Sequence, residues 1–149
     1  MTSTAAEAYE AMLAHRRRLG GGLTGRAAAI NGMVAAGLPY SDAVANLRAY
    51  LAQEVLPHAA AEERIFYPAA ARAGLAGAVV DMLAEHVTLA SAAARLSETA
   101  DGEAVAGCAR DIAALFAGHA ARENEVLLPA LLADESVDLA ALLGQMHGS

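Results

Sequence analysis

Two stretches of the chain share one frame. HAAAEERIFYPA starts at His58 and HAARENEVLLPA at His119; in each, a glutamate follows the histidine by four residues and a proline by ten. On an α-helix, residues four apart lie about 40° apart around the axis and about 6 Å apart along it. His58 with Glu62, and His119 with Glu123, therefore each set an imidazole and a carboxylate on one face, an arrangement suited to a metal ion. His15 and His86 stand alone, one ahead of each frame. Four nitrogens and two carboxylates exceed what one tetrahedral ion takes, but they suit two ions bridged by the two glutamates.

Any one of these features has an ordinary explanation. A histidine and glutamate four apart are often an exposed pair contributing a few tenths of a kcal/mol, and a lone histidine on an apolar face is usually a hydrogen-bonded core residue. The duplication weighs against both. Pro68 matches Pro129, and the triplet Ile65-Phe66-Tyr67 aligns with Val126-Leu127-Leu128. Glu62 and Glu123 fall on the faces of apolar neighbours such as Phe66 and Leu127, where a carboxylate is costly unless paired or metal-bound.

The elements that must carry these residues are helices. Ala, Leu, Glu and Arg dominate, and β-branched and aromatic residues nowhere alternate with polar ones over a useful length. The Gly-, Pro- and Asp-rich stretches AGLPYSD, ARAGLAG, SETADGE and LADESVD divide the chain. They predict helices over 4–35, 41–71, 76–98 and 103–131, with a short fifth near 137–145. Short connections make successive helices antiparallel, so the expected fold is all-α: an up-down-up-down four-helix bundle forming one domain over 1–149. Two features strain that pattern. GGGLTG at 20–25 should bend or break the first helix, and Pro57 should kink the second just before His58, because the carbonyl of Gln53 loses its partner.

Composition narrows the function. The net charge is −7 and all ten basic residues are arginine, which argues against nucleic acid as the main partner. Arg16-Arg17-Arg18 is the only basic cluster, and the expected reading is a solvated helix face. Mean hydropathy is +0.35, but no unbroken apolar run approaches a membrane span, and the N-terminus lacks the apolar core of a signal peptide. The expected setting is cytoplasmic, with no membrane partner. Cys108 is the only cysteine, so any metal must be held by histidine and carboxylate.

The set His15, His58-x-x-x-Glu62, His86, His119-x-x-x-Glu123 resembles the H…HxxxE…H…HxxxE signature of the hemerythrin-like, or HHE cation-binding, domain. The resemblance runs from the first helix through the second frame and includes the proline that closes each. It implies a four-helix bundle around two Fe ions in an oxo- or hydroxo-bridged centre. His15 and His58 would hold one iron, His86 and His119 the other, and Glu62 and Glu123 would bridge them. Iron is an implication of the resemblance, since imidazole and carboxylate donors also accept Mn or Zn.

One departure bears on activity. Oxygen-carrying hemerythrins place two histidines a turn apart on the third helix, whereas Met82 and Ala90 flank His86 here. A site short of one nitrogen favours reaction with peroxide, nitric oxide or O2 over reversible storage, as in a peroxidase, a catalase-like enzyme or a nitric oxide-consuming oxidoreductase acting in stress defence. The electron donor is unspecified. Tyr50 and Glu54 lie two turns and one turn before His58 and, with Met82, are candidates for an auxiliary ligand or a supporting position. Two other readings stand beside this one: O2 or iron sensing or storage without turnover, and a metal-free helical interaction module.

Overall fold

In the computed structural model, which describes residues 4–147, every regular element is helical. The first helix, Ala5–Ala35, starts at a capping box in which Thr4 and Glu7 satisfy each other's backbone N–H groups. The second helical rod, 41–75, and the fourth, 102–133, alternate ordinary turns with wider ones. The third helix is Ala76–Glu98 and the fifth Leu139–His147. Four long helices form the bundle and the fifth packs along the first.

The glycines at 20–25 do not break the first helix, which is continuous through them. Gly22 is instead a point of close approach: a Cβ there would stand 2.2 Å from the Tyr50 hydroxyl. The second rod breaks near its end at Gly74, where φ is +93° and glycine adopts the left-handed conformation without steric cost. The run Ser41–Glu98 contains a window apolar enough to cross a bilayer by length and composition, but in the bundle it is two helices broken at Gly74.

Each inner proline follows a π-turn. Leu56 N–H bonds to Leu51 O, Tyr67 N–H to Glu62 O and Leu128 N–H to Glu123 O, each five residues back, just ahead of Pro57, Pro68 and Pro129. A proline has no N–H, and its ring presses on the carbonyl four residues earlier; widening the preceding turn moves that carbonyl aside. The kink expected at Pro57 therefore takes the form of a bulge. The same device recurs in both frames, and Glu62 and Glu123 each open such a turn.

The core is layered. One apolar cluster gathers Met12, Phe66, Met82, Leu127 and the inner face of the fifth helix; the other gathers Leu19, Leu51, Val55, Leu89 and Phe116. Between them every long helix contributes buried polar side chains: Arg16, Glu62, His86, and His119 with Glu123. Apolar packing on both sides thus fixes the depth of the polar layer.

Candidate metal centre

The polar layer is built from inward positions. On the first helix the buried face runs Ala8, Met12, Arg16, Leu19, Leu23, so the residue pointing into the bundle is Arg16, and His15 lies on its flank. Arg17 and Arg18 are exposed as expected, but Arg16 is only 2% exposed, which corrects the reading of the triplet as a solvated face. The signal was in the sequence: Arg16 occupies the i+4 place after Met12 and the i−3 place before Leu19. Its Nη2 donates to Glu62 Oε2 at 3.0 Å and its Nε to Glu123 Oε1 at 3.2 Å. Burial opposes the guanidinium charge, but the two carboxylates outweigh it and hold the pKa above the ordinary arginine range.

Tyr67 is a second residue missing from the expected site. Its hydroxyl donates to Glu123 Oε2 at 2.7 Å and lies 3.1 Å from both His86 Nε2 and His119 Nε2. In an unbroken α-helix a residue five past Glu62 would point about 140° away from it. The π-turn at Glu62–Phe66 returns Tyr67 to the inner face. A period of 3.6 residues conceals this, so Tyr67 reads from sequence as one more apolar position. Burial, then the charges of Glu62 and Glu123, push its phenol pKa far up.

His86 Nε2 and His119 Nε2 stand 3.0 Å apart. Together with the Tyr67 oxygen they make a nearly equilateral triangle. Adjacent donors around an octahedral ion with bonds of about 2.1 Å are separated by about 3.0 Å, so this triangle has the size of one octahedral face. Glu62 Oε1 extends it, 3.3 Å from His86 Nε2, with His119 Nε2 at 3.8 Å. Glu62, His86 and His119 are all buried, and their donors converge closely enough to share one ion. Glu85, also missed from sequence, accepts from His119 Nδ1 at 2.8 Å and so aims Nε2 inward.

The electrostatics match a site built for positive charge. Burial would raise the Glu62 carboxyl, yet hydrogen bonds from Glu123 and from the imidazoles of His119, His58 and His86 hold it well below the ordinary range. Glu123 is pushed up, by burial and then by the charge of Glu62. For His119, burial favours the neutral ring, but its bonds to Glu123 and Glu62 prevail and raise the pKa to about 10.

The other expected ligands lie to one side. The His15 and His58 rings are 4.8 Å apart, and His58 Nε2 is 3.6 Å from Glu62 Oε2. That nitrogen is buried with no hydrogen-bond partner among the described residues, which is how a ligand atom awaiting a cation would be placed. Burial, then His58 and nearby arginines, lower the His15 pKa to about 4, keeping it a neutral donor.

The three auxiliary candidates divide. Glu54 is exposed and lines a cavity with His15 and His58. Tyr50 does not reach the centre, because its hydroxyl bonds to Arg18 O at 3.3 Å and its ring carries the Arg26 guanidinium. Met82 is buried among apolar side chains.

Residues 7–131 match the family model of the hemerythrin HHE cation-binding domain, and the chain belongs to that family. No curated protein and no solved structure matches it.

Proposed function

We propose that this hemerythrin-family chain is a cytoplasmic di-iron protein that binds and turns over small oxidants or diatomics: hydrogen peroxide, nitric oxide or O2. The observation that carries this reading is the convergence of buried imidazole, carboxylate and phenol donors, at ligand spacing, beside a His58 nitrogen with no hydrogen-bond partner among the described residues. His86, His119 and Glu123, with Tyr67 in place of the nitrogen that Met82 does not supply, would hold one ion. His15 and His58 would hold the other, and Glu62, with Oε1 towards His86 and Oε2 towards His58, would be shared between them. Bound iron supplies Lewis acidity and electrons for reaction with such ligands.

The chain's own residues prepare the site. Arg16 neutralises part of the carboxylate charge and fixes both side chains before any ion enters. Glu85 holds the His119 tautomer. The Tyr67 hydroxyl donates to Glu123 Oε2 at 2.7 Å, which holds the phenol oxygen among the donors that would bind the ion. The cavity beside His15 and His58, about 410 Å³, gives small molecules a way in.

The test is metal analysis with a visible spectrum of the purified chain, followed by peroxide and nitric oxide consumption. About two irons per chain with charge-transfer absorption, and catalytic loss of either substrate per iron pair, is the expected outcome. Tight binding without turnover would instead indicate a sensor or store. Loss of neither metal nor colour in His58→Ala and Glu62→Ala would sink the di-iron reading.

A further inference from the structure

The two halves of the centre are unequally supplied. Around His86 and His119 the protein offers two imidazoles, a phenol and carboxylate oxygens, whereas beside His15 and His58 stand Glu62 Oε2, which Arg16 also engages, and the exposed Glu54 on the cavity wall. An ion held there needs a further donor.

The fifth helix brings one. Leu139, Leu142 and Met146 are buried at helical spacing and fix the end of that helix against the first apolar cluster. His147 follows directly, exposed to solvent on its outer side, with its ring 5.8 Å from that of His15 and steeply inclined to it. His15, His58 and His147 line one small void between the helices and also the larger cavity above it. With metal–nitrogen bonds of about 2.1 Å, two imidazoles on one tetrahedral ion have centroids about 5 Å apart. The His15–His58 spacing of 4.8 Å meets this as it stands, while the His15–His147 spacing of 5.8 Å exceeds it by less than 1 Å, so ligation by His147 would require its side chain to turn inward.

We propose that His147 is the third imidazole of the cation site formed by His15 and His58, so that the fifth helix closes this half with a ligand from outside the four-helix bundle. The inference rests on the two-ion reading above. The charges around the void are compatible with it: Glu54 lines the cavity and Glu62 Oε2 lies 3.6 Å from His58 Nε2, while Arg18 approaches His15 Nδ1 only at 3.4 Å. Arg64 lines the outer wall.

The experiment is titration of the full metal-free chain with cobalt(II), followed by visible absorption and bound-metal counting. Wild type should take up two ions. His147→Ala should fill the His86–His119 half normally and bind its second ion at least about tenfold more weakly, with an unchanged thermal melt because residue 147 is exposed. His86→Ala should do the reverse and lose the other ion. His147→Cys should add a thiolate-to-cobalt charge-transfer band, which only direct ligation produces. A two-step isotherm for His147→Ala that superimposes on wild type, or a cysteine variant without that band, overturns the proposal. One wild-type ion, lost in His86→Ala and indifferent to His58→Ala, also overturns it while leaving a single-cation centre standing. A wild type that binds none overturns the two-ion reading itself.

Discussion

His86 and His119 sit on the inward faces of their helices, and His15 and His58 on the flanks of theirs. In the first pair the ring nitrogens nearly touch, with Tyr67 and Glu62 completing the cluster; in the second the rings face a cavity and one nitrogen has no hydrogen-bond partner among the described residues. The sequence frames that supply the two halves share their histidine, glutamate and proline positions, so the difference comes from the other residues and from what surrounds them. The first helix gives its inward place to Arg16, displacing its histidine sideways. The π-turn after Glu62 delivers a phenol, whereas the matching turn after Glu123 delivers Leu128. Repeated motifs thus make two histidine clusters of different character: one dense and enclosed, the other bordering an open cavity.

Arg16 joins the two halves, and removing it should have the largest effect. Arg16→Leu leaves two buried carboxylates without their countercharge, so the metal-free protein should lose about 3–5 kcal/mol in urea unfolding. The metal-loaded protein should lose much less, because cations replace the guanidinium. Equal losses in both forms would mean that Arg16 and the ions do not compete for Glu62 and Glu123.

Tyr67→Phe sharpens the comparison from the enclosed side. It removes one donor from the octahedral face while retaining most of the packing. Affinity in the His86–His119 half should fall by about 10–100-fold, and any phenolate-to-iron charge transfer in the ferric protein should vanish. Binding at His15 and His58 should be unaffected. Titrations in which both ions weaken alike would erase the distinction between the halves.

The smallest effect is one of pH, and the halves should respond in opposite senses. His119 has a folded pKa raised to about 10 from 6.5, so in metal-free protein its contribution is complete below about pH 6.5 and is lost as pH rises towards 10. His15 is lowered to about 4, so the folded state resists its protonation and stability is lost as pH falls from about 6.5 through 4. Urea midpoints measured across this range should therefore lose their alkaline decline in His119→Gln and part of their acid decline in His15→Gln. Unchanged profiles would show that neither ring senses its neighbours as the geometry implies.

Much of this was legible in the chain. Helix positions follow from the punctuation at AGLPYSD, ARAGLAG, SETADGE and LADESVD, because glycine, proline and aspartate act locally on the backbone. The paired His-x-x-x-Glu frames were visible because four residues make roughly one helical turn, and the prolines marked where those turns would be disturbed. Three-dimensional packing decided the rest. Tyr67 enters the site only because a turn of different pitch, set by Pro68, rotates it inward. Glu85 matters because another helix brings His119 beside it, and His147 approaches His15 only through the docking of the fifth helix. Arg16 lies between: its spacing from Met12 and Leu19 announced burial, but nothing within its own helix could say that two carboxylates, 46 and 107 residues away, would be there to receive it. Local sequence sets which face a side chain takes; only the assembled bundle supplies the distant partners that give a buried charge its purpose.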